Sequence, residues 1–515
     1  MQTIRTEIAI MGSGLAGLSA ALTAQAHGRA VAVFEKRPFQ GGGVSNTPMQ
    51  VLSVRDDPAY QDKAFKIHME YTNWNANPHV VRAWLKNSVR IPDFIRGLGI
   101  RFLNIKYNPL EELGTTRGYE VGFPNAFHVG DYYRLKGIGK GHGAAVICKK
   151  AADKIRSQGG KIYFSMPLEK LIEENGRIIG AVARDENTQE PVKIEADAII
   201  IASGGFNDNA EYIKKYCGLT LTDKNCSGDG NVVFNNFTNS RLTGDGQRMV
   251  WDIGGAKGAM GLNGHDMVPG PGIVGNNCAW VTYNQLRTVQ EQAYLWVNQK
   301  GQRFICEEQS DNHMAMVTAI LNQPGKCAYL IFDEDTRIHM EKDGVERAYF
   351  IFEANTLNDV EKQFKEVIAK GNRHVFIADT IEELCCKTGI DENGLKCQLE
   401  RYNHYCEQKY DEELAKAPLY LRPVKRGKFY ALRVFPGGYH AFGGIKIDGH
   451  CRVLDKEGRP IAGLYAGGDC CAGEVFGDPP TGGIGWSTLS FSQGFICGDE
   501  ASAFVKEGLK NETGN

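Results

Sequence analysis

The chain has 515 residues, more than one compact core usually supports, so at least two domains are expected. Hydrophobic residues make up 42% and charged residues 23%, and the formal net charge of −2 gives no electrostatic case for binding nucleic acid or a membrane surface. No secretory leader and no stretch of about 18 apolar residues is visible. The 14 cysteines show no C-x-x-C, haem or cluster spacing. We therefore expect a cytoplasmic protein with reduced thiols, no metal and no membrane segment.

The elements predicted along the chain begin with a β-turn-α-β unit. Residues 6–11 predict an apolar strand, a glycine turn follows, 15–27 predict a helix, and 30–35 predict a second strand. A helix is expected over 143–157, and "EKLIEENGRIIGAVARD" predicts a hairpin that turns at its Asn-Gly pair. "KIYFSM" and "ADAIIIASGG" predict further strands, and about 490–507 predict the last helix. This order indicates a doubly wound α/β sheet.

The glycine turn has the pattern of a dinucleotide-binding site. Gly12, Gly14 and Gly17 form G-x-G-x-x-G after the first strand, and Glu35 ends the next strand. The first glycine makes the turn, the second lets the backbone approach a pyrophosphate, and the third lets helix and strand pack closely. Glu35 is placed to bond ribose hydroxyls, which argues for an unphosphorylated adenosine ribose. NAD and FAD share this pattern, so it does not choose between them.

Further motifs extend along nearly the whole chain: "FEKRPFQGG", "ASGGF", "TGDGQRM", "VNQKGQRF", "YHAFGG" and "GLYAGGD". Together with "GSGLAG" they resemble the flavoprotein subunit family of fumarate reductase and succinate dehydrogenase. The resemblance implies FAD and an α/β fold, in which a doubly wound, Rossmann-like FAD-binding domain is split by an inserted α+β capping domain with the active site at their junction. The middle of the chain, roughly 262–438, changes character, because glycine clusters thin out after Gly275 and return from Gly438. We therefore predict the first part of the FAD-binding domain over 1–261, the capping domain over 262–438 and the second part over 439–515.

The resemblance also implies which residues hold the cofactor. The late acid Asp469 is expected on the ribityl chain, and the "TGDG" segment is expected close by. Succinate dehydrogenases carry FAD covalently on the histidine of an S-H-T segment, whereas this chain has "SNT", with Asn46 in that place. Because an amide is not a nucleophile, we expect non-covalent FAD. The predicted cofactor residues are Gly12, Gly14, Ala16, Gly17, Glu35, Lys36, Gly42, Gly43, Ser45, Asn46, Ala202, Ser203, Gly204, Asp245, Asp469, Gly483 and Ile484.

The substrate site keeps two histidines of this family and lacks its two arginines. His265 in "NGHDMVPG" and His440 in "GGYHAFGG" match the histidines that fumarate reductases use for a dicarboxylate. No arginine occurs in "ICEEQSDNHMAM" after "GQRF", and Pro480 stands where the second arginine is expected. A guanidinium pairs a carboxylate through two hydrogen bonds, and proline cannot replace it. We therefore predict that the substrate is not a dicarboxylate.

Aromatic side chains near the predicted site suit a flat polycyclic or phenolic substrate if they line it, although ordinary packing explains them equally well. They are Trp280, Tyr283, Tyr294, Tyr439, Phe442 and Trp486. The chain also resembles the ketosteroid- and isoflavonoid-reducing members of the family, the tetrahydrodaidzein reductase type among them, and the ketosteroid enzymes use tyrosine as proton donor. Tyr439 and His440 are the first candidates for that role here, and Asp478 is a further one. The predicted catalytic residues are Tyr439, His440, His265, Tyr283 and Arg287.

The predicted function is hydride transfer between flavin N5 and a carbon of a small, cyclic or aromatic substrate, as in the reduction of an enone or alkene or the reverse. Reductive loss of a hydroxyl from an isoflavan-type ring is a close alternative. Two other classes stay open, namely a flavin-bound electron-transfer subunit without its own substrate and an NAD-dependent dehydrogenase without flavin. No haem, cluster or second flavin motif is visible, so we expect NAD(P)H or an electron-transfer protein as the reductant.

Overall fold

The computed structural model describes residues 2–41, 50–102, 130–134, 143–217, 233–234, 241–263, 266–268, 284–311, 313–346, 356–438, 440–477 and 486–513. The strands are β1 Gln2–Met11, β2 Val31–Phe34, β3 Gln50–Val54, β4 Gly130–Arg134, β5 Lys161–Tyr163, β6 Leu168–Glu174, β7 Arg177–Arg184, β8 Pro191–Ile201, β9 Val233–Phe234, β10 Lys257–Asn263, β11 Asp266–Val268, β12 Leu295–Val297, β13 Ala328–Asp333, β14 Val375–Ala378, β15 Phe429–Gly438, β16 His440–Ile445, β17 Arg452–Leu454 and β18 Pro460–Ala466. The α-helices are α1 Leu15–Ala26, α2 Pro58–Tyr71, α3 Pro78–Asn87, α4 Ile91–Gly97, α5 Gly143–Ser157, α6 Ala210–Cys217, α7 Asp245–Asp252, α8 Asn284–Gln290, α9 His313–Leu321, α10 Glu334–Lys342, α11 Val360–Ala369, α12 Ile381–Thr388, α13 Glu392–Gln408, α14 Gly473–Phe476 and α15 Trp486–Thr513.

The main sheet has eight strands in the order β17-β18-β7-β8-β1-β2-β5, with β6 beside β7. Strand β1 pairs in parallel with β2 on one side and with β8 on the other, so that Ile8 lies opposite both Val31 and Ala198. Strands β5 and β18 extend this parallel core. The apolar end of β1 is buried because both faces of the sheet are covered there. The carboxyl ends of these strands meet at one edge, where ligands bind in open α/β sheets.

Helix α1 lies against the long helix α15 at unusually close range. A methyl group on Gly494 would lie 2.0 Å from Ser19 Oγ, and one on Gly498 would lie 2.6 Å from the Cβ of Thr23. Glycine at these positions lets the two helices approach, which accounts for the burial of α1 from Leu15 to Ala24. Helix α15 is longer than the predicted 490–507. Neither it nor any other described helix is apolar enough over sufficient length to cross a membrane.

A second sheet of six strands has the order β11-β15-β13-β12, with β14 and β9 also paired to β15. Its strands are antiparallel except for the pair β9–β15. Apolar clusters cover both faces. This α+β unit, beside the largely parallel sheet, confirms the predicted fold class. The boundaries near 262 and 438 stay a prediction, and β9 pairs into the second sheet although it falls within the predicted first segment.

A buried ion network holds the "GQRF" segment in the second unit. Arg303 Nε and Nη2 donate to the two carboxylate oxygens of Glu307 at 2.7 and 2.6 Å. Its Nη1 and Nη2 also donate to Asp411 at 2.9 and 2.7 Å. All three side chains have no exposed surface. Charges removed from water are tolerated only when they are paired and hydrogen-bonded, so this arginine contributes to the structure by compensating two carboxylates.

Several local predictions agree with the structure in detail. The hairpin expected at the Asn-Gly pair joins β6 to β7 through Asn175 and Gly176, both with positive φ (55° and 77°). Such a turn fits the right-handed twist of the flanking strands. The helix expected over 143–157 is α5, with those bounds. These elements depend on neighbouring residues alone, which is why a single sequence predicts them.

Candidate cofactor-binding cleft

A cleft opens at the carboxyl ends of β1, β2 and β8 and beside the turn after β18. Strand β1 has β2 on one side and β8 on the other, so the strand order changes direction here. Ligands usually bind at such a point in open α/β sheets. Nine of the predicted cofactor residues line it, namely Gly12, Gly14, Ala16, Glu35, Lys36, Ala202, Ser203, Gly204 and Asp469. Sequence reasoning missed further lining residues, namely Met11, Leu15, Phe34, Arg37, Pro167, Leu168, Leu242, Gly467, Gly468 and Ser490.

The glycine turn leaves no room for side chains. Gly12 has a φ of +100°, and a methyl group there would lie 2.3 Å from the carbonyl oxygen of Ala202. A methyl group on Gly17 would lie 2.0 Å from the carbonyl oxygen of Gly12. Gly17 therefore packs the helix against the turn and does not itself line the cleft, which is the packing role that the motif predicts for its third glycine.

The first turn of α1 faces the cleft. Gly14 is the residue before the helix, and its extended backbone leads directly into Leu15 and Ala16, which also line the cleft. Gly14 has no side chain that could accept a hydrogen bond from the first helical N–H groups. The positive end of the helix and its N–H groups are thus directed at the cleft, an arrangement that binds phosphate oxygens.

The carboxylate of Glu35 is held by three hydrogen bonds from neighbouring protein groups. Its Oε2 accepts from the backbone N and the Oγ of Ser13, at 2.9 and 2.8 Å, and its Oε1 accepts from the backbone N of Arg37 at 3.0 Å. Because a carboxylate has about four acceptor positions, these bonds leave one on Oε1. The orientation of Glu35 is therefore set by the protein, with acceptor capacity left for a hydroxyl.

The acid of the "TGDG" segment pairs with a lysine of the cleft. Asp245 begins α7 and lies outside the cleft lining. Its carboxylate pairs with Lys36 Nζ at 2.7 Å, and the hydroxyl of Thr243 donates to it at 2.9 Å. Lys36 itself lines the cleft. Asp245 and Thr243 thus hold Lys36 in place, and we expect Asp245 to act on a cofactor through that lysine.

Asp469 is a partly exposed acid that lines the cleft. It follows Gly468, whose φ is +85° and whose N–H donates to Gln493 Oε1 at 2.8 Å. Burial raises the pKa of the Asp469 carboxyl to about 7. Ser203 Oγ, which also lines the cleft, is buried without a hydrogen-bond partner among the described residues. A ligand that brings hydroxyl groups would satisfy both of these groups.

The remaining predicted site residues lie at or beyond the edges of the described stretches. Arg287 is part of α8, and His440 opens β16, where its backbone is paired with Asn263. Two of the aromatic candidates contact other protein side chains. Tyr294 is buried and its hydroxyl donates to Glu346 at 3.2 Å, and the ring of Phe442 lies 5.8 Å from that of Phe476. Outside the described residues lie Gly42, Gly43, Ser45, Asn46, His265, Trp280, Tyr283, Tyr439, Asp478, Pro480, Gly483 and Ile484.

Comparison with known proteins identifies the family. The sequence profile of the FAD binding domain matches residues 7–485. The chain belongs to the FAD binding domain family. As a member of it, this protein is an FAD-dependent oxidoreductase, which confirms the predicted cofactor and enzyme class. The fumarate reductase-like resemblance is confirmed as well.

This FAD-binding family member is similar over most of its length to two curated reductases. It is 26% identical to a vinyl phenol reductase of Lactiplantibacillus plantarum over 488 residues, 91% of this chain and 90% of the relative. It is also 26% identical to a urocanate reductase of Eggerthella lenta over 514 residues, 98% and 75% of the two chains. In fold it resembles a 3-ketosteroid Δ1-dehydrogenase from Sterolibacterium denitrificans, with a TM-score of 0.68, 20% identity, and coverage of 97% and 99%.

The residues of the cleft fit FAD. The glycine turn and the N-terminus of α1 suit a pyrophosphate, and the free acceptor position of Glu35 suits a ribose hydroxyl. The carboxyl of Asp469, whose pKa is raised by the loss of solvent, and the unpartnered hydroxyl of Ser203 suit hydrogen-bonding groups of the kind that a polyol chain carries. The cleft thus offers hydrogen-bonding groups for the pyrophosphate, the ribose and the ribityl chain of FAD.

Proposed function

We propose that this flavoprotein reduces a carbon–carbon double bond, or forms one in the reverse direction, in a ring-containing substrate that is not a dicarboxylate. The observation that carries the proposal is the missing arginine pair. No arginine occurs between Phe304 and Thr336, and Pro480 takes the place of the second one. A site without these guanidinium groups has lost the bidentate partners of two carboxylates.

The names of the relatives support the substrate class. A vinyl phenol carries its double bond on an aromatic ring, a urocanate carries it beside an imidazole, and a 3-ketosteroid carries it beside a ring carbonyl. In each case the double bond is conjugated, so that negative charge arising at one carbon is spread over a ring or a carbonyl. We propose a substrate with the same feature for this chain.

FAD, when bound, supplies hydride exchange with one carbon of the double bond. The protein's own residues then have two tasks, namely to hold the cofactor and to move a proton at the neighbouring carbon. We propose that the cleft residues do the first and that Tyr439 or His440 does the second, with His265, Tyr283 and Arg287 as further members of the substrate site. A phenol or imidazole gives up its proton readily only if its surroundings bring its pKa towards the working pH.

The substrate site is proposed to lie where the two sheets meet, between the second sheet over 262–438 and the cleft. The reductant is proposed to be NAD(P)H or an electron-transfer protein. A stopped-flow experiment that mixes the oxidised protein anaerobically with NADH, NADPH or a reduced electron-transfer protein separates these, because only the true electron donor bleaches the flavin absorbance rapidly.

The proposal is tested by mixing reduced protein with 4-vinylphenol, a 3-ketosteroid enone, an isoflavonoid and fumarate in turn. We expect at least one of the first three to reoxidise the flavin in a concentration-dependent manner, and fumarate not to do so. Rapid reoxidation by fumarate would contradict the substrate argument. Failure of all four, with rapid reoxidation by a redox protein, would favour an electron-transfer subunit instead.

The proton donor is tested with His440→Ala and Tyr439→Phe. Both variants are expected to keep FAD, and at least one to lose about 10²–10⁴-fold in turnover per bound flavin, the usual contribution of a general acid. Unchanged turnover per flavin in both variants would remove these residues from the mechanism.

A further inference from the structure

One edge of strand β16 is joined directly to the turn that follows β8, residues 202–207, called here the β8 turn. The backbone N–H of Phe206 donates to the carbonyl oxygen of Ala441 at 3.3 Å. In return, the backbone N–H of Ala441 donates to Asn207 Oδ1 at 2.9 Å. Both backbone polar groups of the residue after His440 are therefore occupied by the β8 turn.

The contact is close as well as hydrogen-bonded. A methyl group on Gly205 would lie 1.6 Å from the carbonyl oxygen of Ala441, so only glycine allows the two backbones to meet. Asn207 is 5% exposed, and Ala441 is fully buried. Water therefore cannot replace the asparagine as the acceptor for the Ala441 N–H without a rearrangement of the strand.

A second side chain bridges the same two segments. Gln247, on α7, is fully buried, and its Nε2 donates at 3.1 Å both to the carbonyl oxygen of Gly204 and to that of Gly443. Gly204 lines the cofactor cleft, whereas Gly443 lies three residues beyond His440. One amide group thus connects the wall of the cleft to the strand that begins with His440.

We propose that Asn207 and Gln247 are positioning residues, which lock β16 to the cofactor cleft and so set where His440 stands relative to the bound cofactor. The inference rests on the role proposed above for His440. Among the described strands, the other edge of β16 pairs with β10, and that pair contains a register irregularity between Lys257 and Met260. The β8 turn directly follows β8 of the main sheet, so it attaches this strand to that sheet.

Asn207→Ala removes the acceptor for the Ala441 N–H and keeps the fold. A displacement of about 1 Å in a reacting group can cost about 10²-fold in rate. We expect Asn207→Ala to bind FAD, to lose about 10- to 100-fold in kcat per bound flavin, and to change KM much less. Asn207→Asp keeps an oxygen at the same place and is expected to regain most of the loss.

Asn209→Ala is the matched control, since Asn209 lies on the same loop but has other partners. Its Nδ2 donates to the carbonyl oxygen of Thr243 at 2.9 Å, and its Oδ1 accepts from the backbone N–H of Tyr212 at 3.0 Å. We expect turnover per flavin within about twofold of wild type, which corresponds to about 0.4 kcal/mol. Hydrogen exchange provides a readout apart from activity, because the peptide containing Ala441 should exchange faster in Asn207→Ala and not in Asn209→Ala.

A double-mutant cycle with His440→Ala completes the test. If Asn207 acts through His440, Asn207→Ala should have little further effect once His440 is alanine, within about threefold. Equal losses in both backgrounds, or wild-type turnover of Asn207→Ala, would overturn the positioning role alone. Wild-type turnover of His440→Ala would overturn the role proposed for His440 and the present inference with it, so the two failures are distinguishable.

Discussion

Asp469 makes the cofactor cleft sensitive to pH. Burial raises the pKa of its carboxyl from the ordinary 3.8 to about 7 in the flavin-free protein. Because one pH unit corresponds to about 1.4 kcal/mol, keeping this group ionised above pH 7 costs the flavin-free fold about 4 kcal/mol. The folded-state pKa lies above the unfolded value. Below about pH 4 the carboxyl is protonated in both states, so the folded protein has its full stability. As the pH rises towards about 7 the unfolded state loses its proton first, and the free energy of unfolding falls.

Binding of FAD is expected to remove the free-energy cost of ionising Asp469. Hydroxyl groups that donate to the carboxylate stabilise its charged form and lower its pKa again. At pH 6 the flavin-free protein therefore holds a proton on Asp469 that the FAD complex does not, and about one proton is released on binding. At pH 9 none is released, since the carboxyl of Asp469 is already ionised in both states.

The measurement is calorimetric titration of the flavin-free protein with FAD at pH 6 and pH 9, in buffers of different ionisation enthalpy. Asp469→Asn is the control, because its amide has similar size and does not titrate. We expect the difference in protons released between the two pH values to disappear in this variant, together with the fall in flavin-free stability between about pH 4 and pH 7. The same pH dependence in wild type and variant would refute the reasoning.

Four further outcomes are expected. Gly12→Ala should abolish flavin binding, seen as loss of flavin absorbance in the purified protein, because the new methyl group would lie 2.3 Å from the Ala202 carbonyl oxygen; normal flavin content would contradict this. Arg303→Met leaves the buried carboxylate of Asp411 without this cation and leaves Glu307 with the more distant Lys416 at 3.6 Å, so it should lower the free energy of unfolding in urea by about 3–5 kcal/mol, whereas a change below about 1 kcal/mol would show that the carboxylates are hydrated. Acid precipitation should release all the flavin into the supernatant, since Asn46 offers no nucleophile, and colour left in the pellet would indicate a covalent bond. Fumarate should not be reduced by enzyme that turns over its own substrate.

Motifs of consecutive residues were predictable from the sequence alone. The turn of Gly12, Gly14 and Gly17 and the length of α5 follow from local sterics and local apolar periodicity, which a single sequence displays. The same holds for Glu35, which directly follows β2, since only residues 27–30 separate α1 from that strand. Nine of the predicted cofactor residues consequently meet in the cleft.

Partners far apart in the chain were not predictable. Ser13 holds Glu35 across 22 residues, and Asp245 pairs with Lys36 across 209. The sequence favours a direct cofactor contact for Asp245 because it stands in a family motif, but the structure shows that a lysine lies between it and the cleft. Asparagine and glutamine are common in loops and helices, so neither Asn207 nor Gln247 carries any sequence signal of its role.

The sequence by itself thus determined the family, the cofactor and the α/β class, because these depend on the spacing of glycines, acids and apolar residues along the chain. Tertiary structure alone decided the burial that changes the acidity of Asp469 and the contact that joins β16 to the β8 turn. Both depend on how separate segments exclude water from one another. That exclusion is a property of packing in three dimensions, and no local pattern encodes it.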